Sequence, residues 1–391
     1  MNTGASVKAA APESVGPDEP KRNPERSSLM QTLIRGLMAS GLVAAVGVEG
    51  LAAVVEPPAD AWMRAEKPRE GLDRSHVRAI ARDAKGHFWF GTDGEGLVRY
   101  DGAALTYFTE KEGLPSNFVR TVEVDGEGKL WITSRDGLCT FDGTAFKRIE
   151  IPREPPSGDE SFAVRPPGPD ALWFPAHDGV AVYDGTSVRY LAMPLDAADV
   201  RSRRERPGTV QTSYGVYSIL KHRDGSIWIG TEARGVCRWD GANFSWIRDE
   251  DIDKAAIRSM CQDSRGDVWL GNSGVGLFRY NDGTLTNFGV ERGIDNRSWL
   301  QNRFVPVRGR IANPHAILET RDGMVWFGTY DSGLWRYDGK EMKNYTMADG
   351  LPTDSISSLF EDEKGVLWIG TFLGVCRLED GRVRAIRDAM K

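Results

Sequence analysis

A short stretch around a tryptophan is repeated seven times along the chain. The first copy reads HFWFGTDGEGLVRYDG (87–102), and the later copies keep its tryptophan, an apolar segment and an Asp-Gly or similar turn. Consecutive motif tryptophans are 42, 42, 55, 41, 57 and 42 residues apart. A nearly fixed period of this kind is the signature of repeat architectures, in which one unit is too small to bury its apolar face alone. The motif tryptophans are Trp89, Trp131, Trp173, Trp228, Trp269, Trp326 and Trp368.

Each repeat contains four short segments with the alternation typical of β-strands. In the first repeat they are HVRAIARD (76–83), HFWFGT (87–92), LVRY (97–100) and AALTYF (103–108), joined by glycine-containing turns and an Asp-Gly hairpin dipeptide. Four antiparallel strands in a repeated unit describe one blade of a propeller. The sequence therefore predicts an all-β fold: a single seven-bladed β-propeller of four-stranded antiparallel blades over 62–391, preceded by an N-terminal apolar helix.

Aligning the first strands of the repeats reveals two columns. One position is small in every repeat, as expected where the innermost strands converge and crowd around the axis; the next position is apolar in every repeat. The motif tryptophans are interpreted as core residues that fill the wider wedge between blades, because large aromatic side chains bury the most area, and not as a carbohydrate platform. The small column is Ala79, Thr121, Ala163, Ser218, Ser259, Ala316 and Ser358, and the apolar column is Ile80, Val122, Val164, Ile219, Met260, Ile317 and Leu359.

The two ends of the repeat region leave the closure of the ring open. Residues 62–78 resemble the outer strand and linker that precede the second repeat (107–120), whereas the seventh repeat ends in its own outer-strand segment, RVRAIRD (382–388). The last blade is therefore expected to be completed by either end of the region, or by both.

The N-terminal region has the pattern of an export signal. Residues 1–29 are polar and favour a disordered tail, and residues 33–55 are mostly apolar, with basic residues before them and acidic residues after them. This asymmetry places the N-terminus in the cytoplasm and the repeats in the periplasm or outside the cell. Residues 30–61 are interpreted as a signal peptide cleaved near Ala-Asp-Ala (59–61), with Met30 as an alternative start, or as a single membrane anchor. A buried amphipathic helix is the remaining alternative.

Composition argues against several classes of function. With 50 Lys and Arg against 56 Asp and Glu the net charge is −6, which argues against a nucleic-acid partner. The five histidines are scattered and no CxxC or HxxxH motif occurs, so neither a metal site nor a cofactor is predicted. Cys139, Cys237 and Cys376 occupy the same slot of three repeats, too far apart for a disulfide. Together with Cys261 they are expected to be buried and unpaired.

The repeat D-x-x-G-x-[LIV]-W-[IFL]-G-T, followed by G-[LV]-x-R-[YW]-[DN]-G and by GLPSN (113–117) or GLPTD (350–354) between repeats, resembles the two-component regulator propeller repeat. The resemblance covers essentially 62–391 and is weakest in the third repeat, where PGPDALWFPAHDG (167–179) replaces the usual turn and Gly-Thr pair. It implies a relative of the periplasmic sensor regions of bacterial hybrid histidine kinases, whose propellers recognise glycan-derived ligands. Because this sequence contains no kinase or output domain, the resemblance implies a stand-alone sensing propeller and no autokinase activity.

We expect no catalytic activity. Glycoside hydrolysis needs a pair of carboxylates at a defined separation, but the acidic residues of the Asp-Gly pairs and of the D-x-x-G-x-x-W motif are interpreted as turn formers. The expected function is a sensor propeller that recognises an oligosaccharide or small anionic ligand and signals through a separate histidine kinase or membrane partner. Two alternatives stay open: a secreted carbohydrate-active lyase or glycosidase on a propeller scaffold, and a scaffold for protein–protein interaction.

A mixed cationic and aromatic column directly precedes the small column, near the beginning of each first strand. Guanidinium, imidazole and aromatic groups around one mouth suit an acidic or polar sugar, because arginine forks match carboxylates and a concave opening with a few polar groups is the usual ligand site. Alternatively, these arginines pair with acidic neighbours such as Glu95 or Glu319. The column is Arg78, Arg120, Phe162, Tyr217, Arg258, His315 and Ser357.

Two longer linkers, 191–215 and 289–314, are rich in arginine. They are expected to be either flexible surface loops or a lid beside the mouth, where loops on a rigid scaffold carry function. Arg234, Trp299 and Arg303 are predicted as rim contacts. The full set of predicted ligand-binding residues is Arg78, Arg120, Tyr217, Arg234, Arg258, Trp299, Arg303 and His315.

Overall fold

The chain divides into two units, 1–69 and 70–391, and all described residues belong to the second. The predicted tail (1–29) and signal peptide or anchor (30–61, with its apolar stretch 33–55) lie outside the described residues. In the ranges that are described, no helix is both long and apolar enough to cross a membrane. The computed structural model describes residues 72, 75–151, 170–176, 179–194, 215–296, 309–311, 313–330 and 332–386.

The second unit is a seven-bladed β-propeller, which confirms the predicted fold. Within the described residues six sheets have four antiparallel strands and one has three, and chain order equals strand order in every sheet. The three-stranded sheet belongs to the third repeat, whose predicted inner strand, with Phe162, Ala163 and Val164, lies outside the described residues.

The strands are given blade by blade from the inner to the outer strand. They are β1 (Val77–Arg82), β2 (Phe88–Thr92), β3 (Leu97–Tyr100) and β4 (Leu105–Phe108); β5 (Val119–Val124), β6 (Leu130–Ser134), β7 (Gly137–Phe141) and β8 (Phe146–Ile149); β9 (Leu172–Ala176), β10 (Gly179–Tyr183) and β11 (Val188–Ala192); β12 (Val216–Lys221), β13 (Ile227–Thr231), β14 (Val236–Trp239) and β15 (Phe244–Ile247); β16 (Ile257–Gln262), β17 (Val268–Asn272), β18 (Gly276–Asn281) and β19 (Thr284–Asn287); β20 (Pro314–Glu319), β21 (Val325–Thr329), β22 (Leu334–Tyr337) and β23 (Met342–Tyr345); β24 (Ile356–Glu361), β25 (Leu367–Thr371), β26 (Gly374–Glu379) and β27 (Arg382–Ala385). Among the described residues, one short helix, α1 (Phe288–Glu291), and three 3-10 turns (Glu110–Glu112, Ile252–Lys254, Met347–Asp349) lie in the linkers.

The motif tryptophans are core residues, as predicted, with exposed fractions of 0 to 6%. In the fifth blade Asp263 accepts hydrogen bonds from the backbone amides of Arg265 and Asp267 and from the indole Nε1 of Trp269 at 3.0 Å. Asp83, Asp125 and Asp362 bind their own tryptophans in the same way. The aspartate of the repeat therefore closes the turn and also satisfies the one polar atom of the buried indole.

The small column lies where consecutive inner strands meet. Ser259 Oγ donates to the carbonyl of Pro314 on the next inner strand at 3.3 Å. A Cβ atom added to Gly271, beside Ser259 on the neighbouring strand, would meet that carbonyl oxygen at 2.6 Å and Ser259 Oγ at 2.3 Å. Large side chains at either position would therefore separate two blades, which is the crowding that the sequence predicts.

Both ends of the repeat region contribute to ring closure. The seventh blade takes its outer strand, β27, from the C-terminal segment, whereas Leu72 from the N-terminal side is buried between the first and seventh blades. The Gly374 amide donates to the carbonyl of Ser75, and the hydroxyls of Ser357 and Ser358 both donate to the carbonyl of Val77. Within the described residues the C-terminal segment therefore completes the seventh blade, and the N-terminal side joins the first blade to it across the seam.

The cysteines are unpaired, but not all of them are buried. Cys139, Cys237 and Cys376 are buried, and burial raises the pKa of each thiol to about 12. Cys261 on β16 is only half-buried, so the prediction that all four are buried was wrong at this position.

Candidate functional site

The cationic and aromatic column predicted from sequence is a row of β-bulges. In all six inner strands that the structure describes, the register with the second strand shifts across this one residue. A bulge adds a residue without a partner in the ladder and re-aims its side chain. The bulge residues are Arg78, Arg120, Tyr217, Arg258, His315 and Ser357.

A second row of residues surrounds the same opening. Each of these residues directly follows the second strand of its blade, and in five blades its amide donates to the residue two positions before the bulge, as Phe372 does to Ser355. We call the bulge residues together with this second row the bulge mouth. The second row is Asp93, Arg135, Glu232, Ser273, Tyr330 and Phe372.

Arg258 and His315 occupy the most buried side of the bulge mouth. The Arg258 guanidinium carbon lies 4.7 Å from the ring centre of Tyr217, and the Arg258 Nε and His315 Nε2 atoms are buried without a hydrogen-bond partner in the described residues. Burial lowers the pKa of Arg258 from its usual value. Burial also lowers the pKa of His315 well below its usual value, helped by the positive charge of Arg258. His315 is therefore a neutral imidazole at neutral pH.

Asp93 neutralises Arg78 on the adjacent side. The Arg78 guanidinium forms an ion pair with the Asp93 carboxylate, and His76 Nδ1 lies 3.3 Å from the same carboxylate. Burial alone would raise the pKa of Asp93, but the hydrogen bonds from His76 and Arg78 hold it well below its usual value. Burial lowers the pKa of His76, whose Nε2 is buried without a partner among the described residues.

Aromatic rings connect these two groups. The His76 and Phe372 ring centres are 3.6 Å apart and stacked, and Tyr330 lies 5.0 Å from Phe372 in an edge-on arrangement. His315 lies 5.5 Å from Tyr330. We call His76, Phe372, Tyr330 and His315 the aromatic shelf; it extends from the first blade across the seam to the sixth.

The opposite side of the bulge mouth is more open. Arg120 is exposed and makes no hydrogen bond or ion pair with any described residue, and Arg135 is exposed with its guanidinium carbon 3.7 Å from the ring centre of Phe118. The cationic groups on this side keep their contact with water, unlike Arg258.

The other predicted residues do not all join this cluster. Arg234 lies in the loop after the second strand of its blade, where its amide donates to Thr231 Oγ1 at 3.0 Å. Trp299 and Arg303, with most of the two arginine-rich linkers, lie outside the described residues. Sequence analysis missed His76, Asp93, Tyr330 and Phe372; aligning the residue after each Gly-Thr pair would have revealed the last three.

The acidic partners suggested from sequence are occupied elsewhere. Glu95 accepts a hydrogen bond from Ser75 at 2.5 Å, and Glu319 accepts one from Ser264 at 2.6 Å at the far end of the channel. The pairing of Arg78 is with Asp93. Glu95 and Glu319 therefore do not neutralise the arginines of the bulge column, and only Arg78 among them has an acidic ion-pair partner in the described residues.

At the far end of the channel, where the inner strands finish, neighbouring blades are linked by side-chain contacts. The Gln262 amide donates to His222 Nε2 at 2.8 Å, and Arg321 forms an ion pair with Glu361 at 3.2 Å. We call this end the lower rim. Its residues are Arg82, His222, Gln262, Ser264, Glu319, Arg321, Glu361 and Glu363, with Arg82 and Glu363 also paired.

The chemistry of the bulge mouth is that of a binding site for a polar molecule. It offers a half-buried guanidinium with a buried Nε atom, two neutral imidazoles whose Nε2 atoms have no partner among the described residues, and aromatic faces. No group of three or more potential metal ligands occurs among the residues that the structure describes.

Comparisons with known proteins give the same fold and repeat. The family model described as "Two component regulator propeller" matches residues 71–94, 113–136, 211–233, 252–274 and 350–372. Histidine kinase P4 of Formosa agariphila is 27% identical over 186 residues, which is 43% of this chain but 12% of the relative, so the chain covers a small part of that protein's length.

Two solved structures show the fold at low identity. The extracellular domain of a putative hybrid two-component system from B. thetaiotaomicron has a TM-score of 0.58 and 20% identity, over 78% of this chain and 40% of that chain. Virginiamycin B lyase from Staphylococcus aureus has a TM-score of 0.55 and 14% identity, over 78% of this chain and 94% of that chain. Because proteins of different kinds share this scaffold, the fold by itself does not identify the activity.

Proposed function

We propose that this chain, which belongs to the two-component regulator propeller family, is a non-catalytic recognition propeller that binds a small glycan-derived or anionic ligand at the bulge mouth. The observation that carries the proposal is a set of buried polar atoms at this one opening that have no partner among the described residues: His76 Nε2, Arg258 Nε, Asn313 Oδ1 and His315 Nε2. An unsatisfied buried polar group costs about 1–3 kcal/mol. A ligand that supplied the missing hydrogen bonds would remove that cost.

The origin of these residues supports a site. They come from the first, fifth and sixth blades, and the charges of Arg258 and Arg78 both act on His315. Side chains so far apart in sequence converge only because the ring is closed. A rigid scaffold that presents such groups at its mouth is a common design for recognition.

The cellular role follows from the family. We propose that the propeller acts outside the cytoplasm and passes ligand occupancy to a separate histidine kinase or a membrane partner. The related solved domain is described as extracellular and as part of a putative hybrid two-component system, which supports this assignment. A reporter fused after residue 61 is expected to be active only outside the cytoplasm; activity confined to the cytoplasm would contradict it.

Ligand screening tests the binding proposal directly. We expect at least one member of a panel of oligosaccharides and small organic acids to raise the melting temperature, because a ligand that binds only the folded state stabilises it. The stabilisation should be reduced in Tyr330→Ala and retained in Arg382→Gln, a change on the exposed outer strand β27. Release of a cleaved or eliminated product from the same panel would instead identify a lyase or glycosidase.

A further inference from the structure

The balance of charge at the bulge mouth limits what its buried side can accept. Asp93 already neutralises Arg78, whereas Arg258 feels the charge of Glu232 but forms no ion pair with any described residue, and Tyr217 covers its flat face. A buried charge without a partner is unfavourable, and an opposite charge on a ligand relieves it. A single negative charge on a ligand would give Arg258 the ion-pair partner that it lacks among the described residues.

The hydrogen-bond donors favour a carboxylate. An arginine fork matches the two oxygens of a carboxylate, and the neutral His315 offers its free Nε2 atom beside Arg258 without adding charge. A doubly charged group such as a phosphate monoester would bring a second negative charge close to the Asp93 carboxylate. The site therefore discriminates against dianions.

The aromatic shelf lies directly beside Arg258 and His315. His315 belongs to both groups, with its ring 5.5 Å from Tyr330 and 6.5 Å from Phe372. Tyr330 is 38% exposed, so part of its surface is open to a ligand. His315 thus lies next to both Arg258 and the aromatic shelf. A ligand whose carboxylate is bonded directly to a ring can contact Arg258 and the shelf at once, whereas a carboxylate on a long flexible chain cannot.

We propose that the bulge mouth recognises a cyclic organic monoanion, with its carboxylate held by Arg258 and His315 and one face of its ring on Tyr330 and Phe372. This inference rests on the proposed function and names the chemical class of its ligand. A sugar acid and an aromatic acid share this chemistry, and the test separates them.

The test is calorimetric titration of the propeller with matched probes. Glucuronate and benzoate carry a carboxylate on a ring; glucose and benzamide lack the charge, hexanoate lacks the ring, and phenyl phosphate and glucose 6-phosphate carry two charges. We expect glucuronate or benzoate to bind at least tenfold more tightly than its neutral, acyclic and dianionic counterparts. Tighter binding of glucuronate would identify the ligand as a sugar acid, and tighter binding of benzoate would identify it as an aromatic acid.

Variants locate the binding. Arg258→Gln is expected to weaken binding of the preferred probe at least tenfold, and Arg258→Lys, which keeps the charge but loses the fork, by a smaller factor. Arg382→Gln removes a positive charge from the exposed outer strand of the seventh blade and should leave the affinity unchanged. Thermal melts show whether each variant is folded, and Arg258→Lys stands in if the glutamine variant is not.

Three results would overturn the inference: equal binding of the neutral probes, tighter binding of the phosphates, or full affinity in both Arg258 variants. A neutral oligosaccharide that binds and loses affinity in Tyr330→Ala would overturn this inference while supporting the proposed function. Failure of every probe, and of the wider oligosaccharide and acid panel, would overturn both.

Discussion

The two ends of the central channel are formed by the same inner strands, yet their polar groups are paired very differently. At the lower rim His222 with Gln262, Ser264 with Glu319, and Arg321 with Glu361 link consecutive blades. At the bulge mouth four buried polar atoms have no partner among the described residues. Within the described residues the lower rim is internally satisfied, whereas the bulge mouth leaves polar atoms for the ligand that we propose.

This contrast separates the positions of the repeat that hold the blades together from those that vary around the ring. The layer between the two ends, with its tryptophan and small column, is nearly the same in every blade. The bulge column instead changes from arginine to tyrosine, histidine or serine around the ring. Positions that hold blades together repeat because every junction has the same geometry. The bulge column is free of that constraint, and its variety is what the proposed ligand site would need.

The largest expected effect is a loss of stability on changing a buried tryptophan in the layer between the two ends of the channel. Trp269→Ala removes a fully buried indole from the wedge between the fifth and sixth blades and leaves Asp263 without its indole donor. We expect the free energy of unfolding to fall by about 3–5 kcal/mol, measured by chemical denaturation. Trp246→Ala, on the outer strand β15 and only half-buried, should cost less. Equal losses in the two variants would contradict the assignment of the wedge as the main core.

Arg258→Ala separates binding from folding at the bulge mouth. We expect affinity for an anionic ligand to fall by a factor of about 10 or more, consistent with the ~1.5–3 kcal/mol of a hydrogen bond to a charged group. The stability of the unliganded protein should stay the same or rise, because a buried charge without a partner is removed. Arg120→Ala, on the exposed side, should weaken binding less. A large loss of stability in Arg258→Ala would show that this residue serves the fold.

Acid is expected to lower the stability of the folded protein through His315 at the bulge mouth. The pKa of His315 is lowered in the folded protein by burial and by Arg258, His76 and Arg78, so this imidazole stays neutral after the unfolded chain has begun to take up protons. Below about pH 6.5 the unfolded chain therefore binds a proton at this residue that the folded protein does not bind. The free energy of unfolding then falls as the pH is lowered, by at most about 1.4 kcal/mol per pH unit, whereas above about pH 6.5 there is no such loss. Denaturation at pH 8 and pH 5.5 should show a smaller difference in His315→Gln than in the wild type. An unchanged difference would mean that His315 does not control this loss.

The smallest effect is expected at the lower rim. Arg321 is 58% exposed, so Arg321→Ala should lower the free energy of unfolding by no more than about 1 kcal/mol despite its ion pair with Glu361. Ligand affinity should not change, because the side chain lies at the far end of the channel. Loss of affinity in this variant would show that the two ends are not independent.

Much of the candidate site was predictable, but not its pairing. Alignment of the repeats placed Arg258, His315 and Tyr217 in one column facing one mouth, and the structure brings these three together. The alignment did not predict that Arg78 is neutralised by Asp93, because these residues belong to different columns and meet only when the first two strands of the blade pair. The role of Phe372 beside His76 was also missed, since these residues lie on opposite sides of the seam.

The number of blades, the strand pattern and the buried tryptophans follow from the amino-acid sequence alone, because each depends on local periodicity repeated within about 42 residues. The closure of the ring, and the set of polar groups that have no partner among the described residues, depend on the folded ring. Val77 and Ser357 are 280 positions apart, yet they form a hydrogen bond at the seam. Contacts of this range depend on the accumulated geometry of all seven blades. A repeat therefore encodes its own blade, and the closed ring decides what converges at the axis.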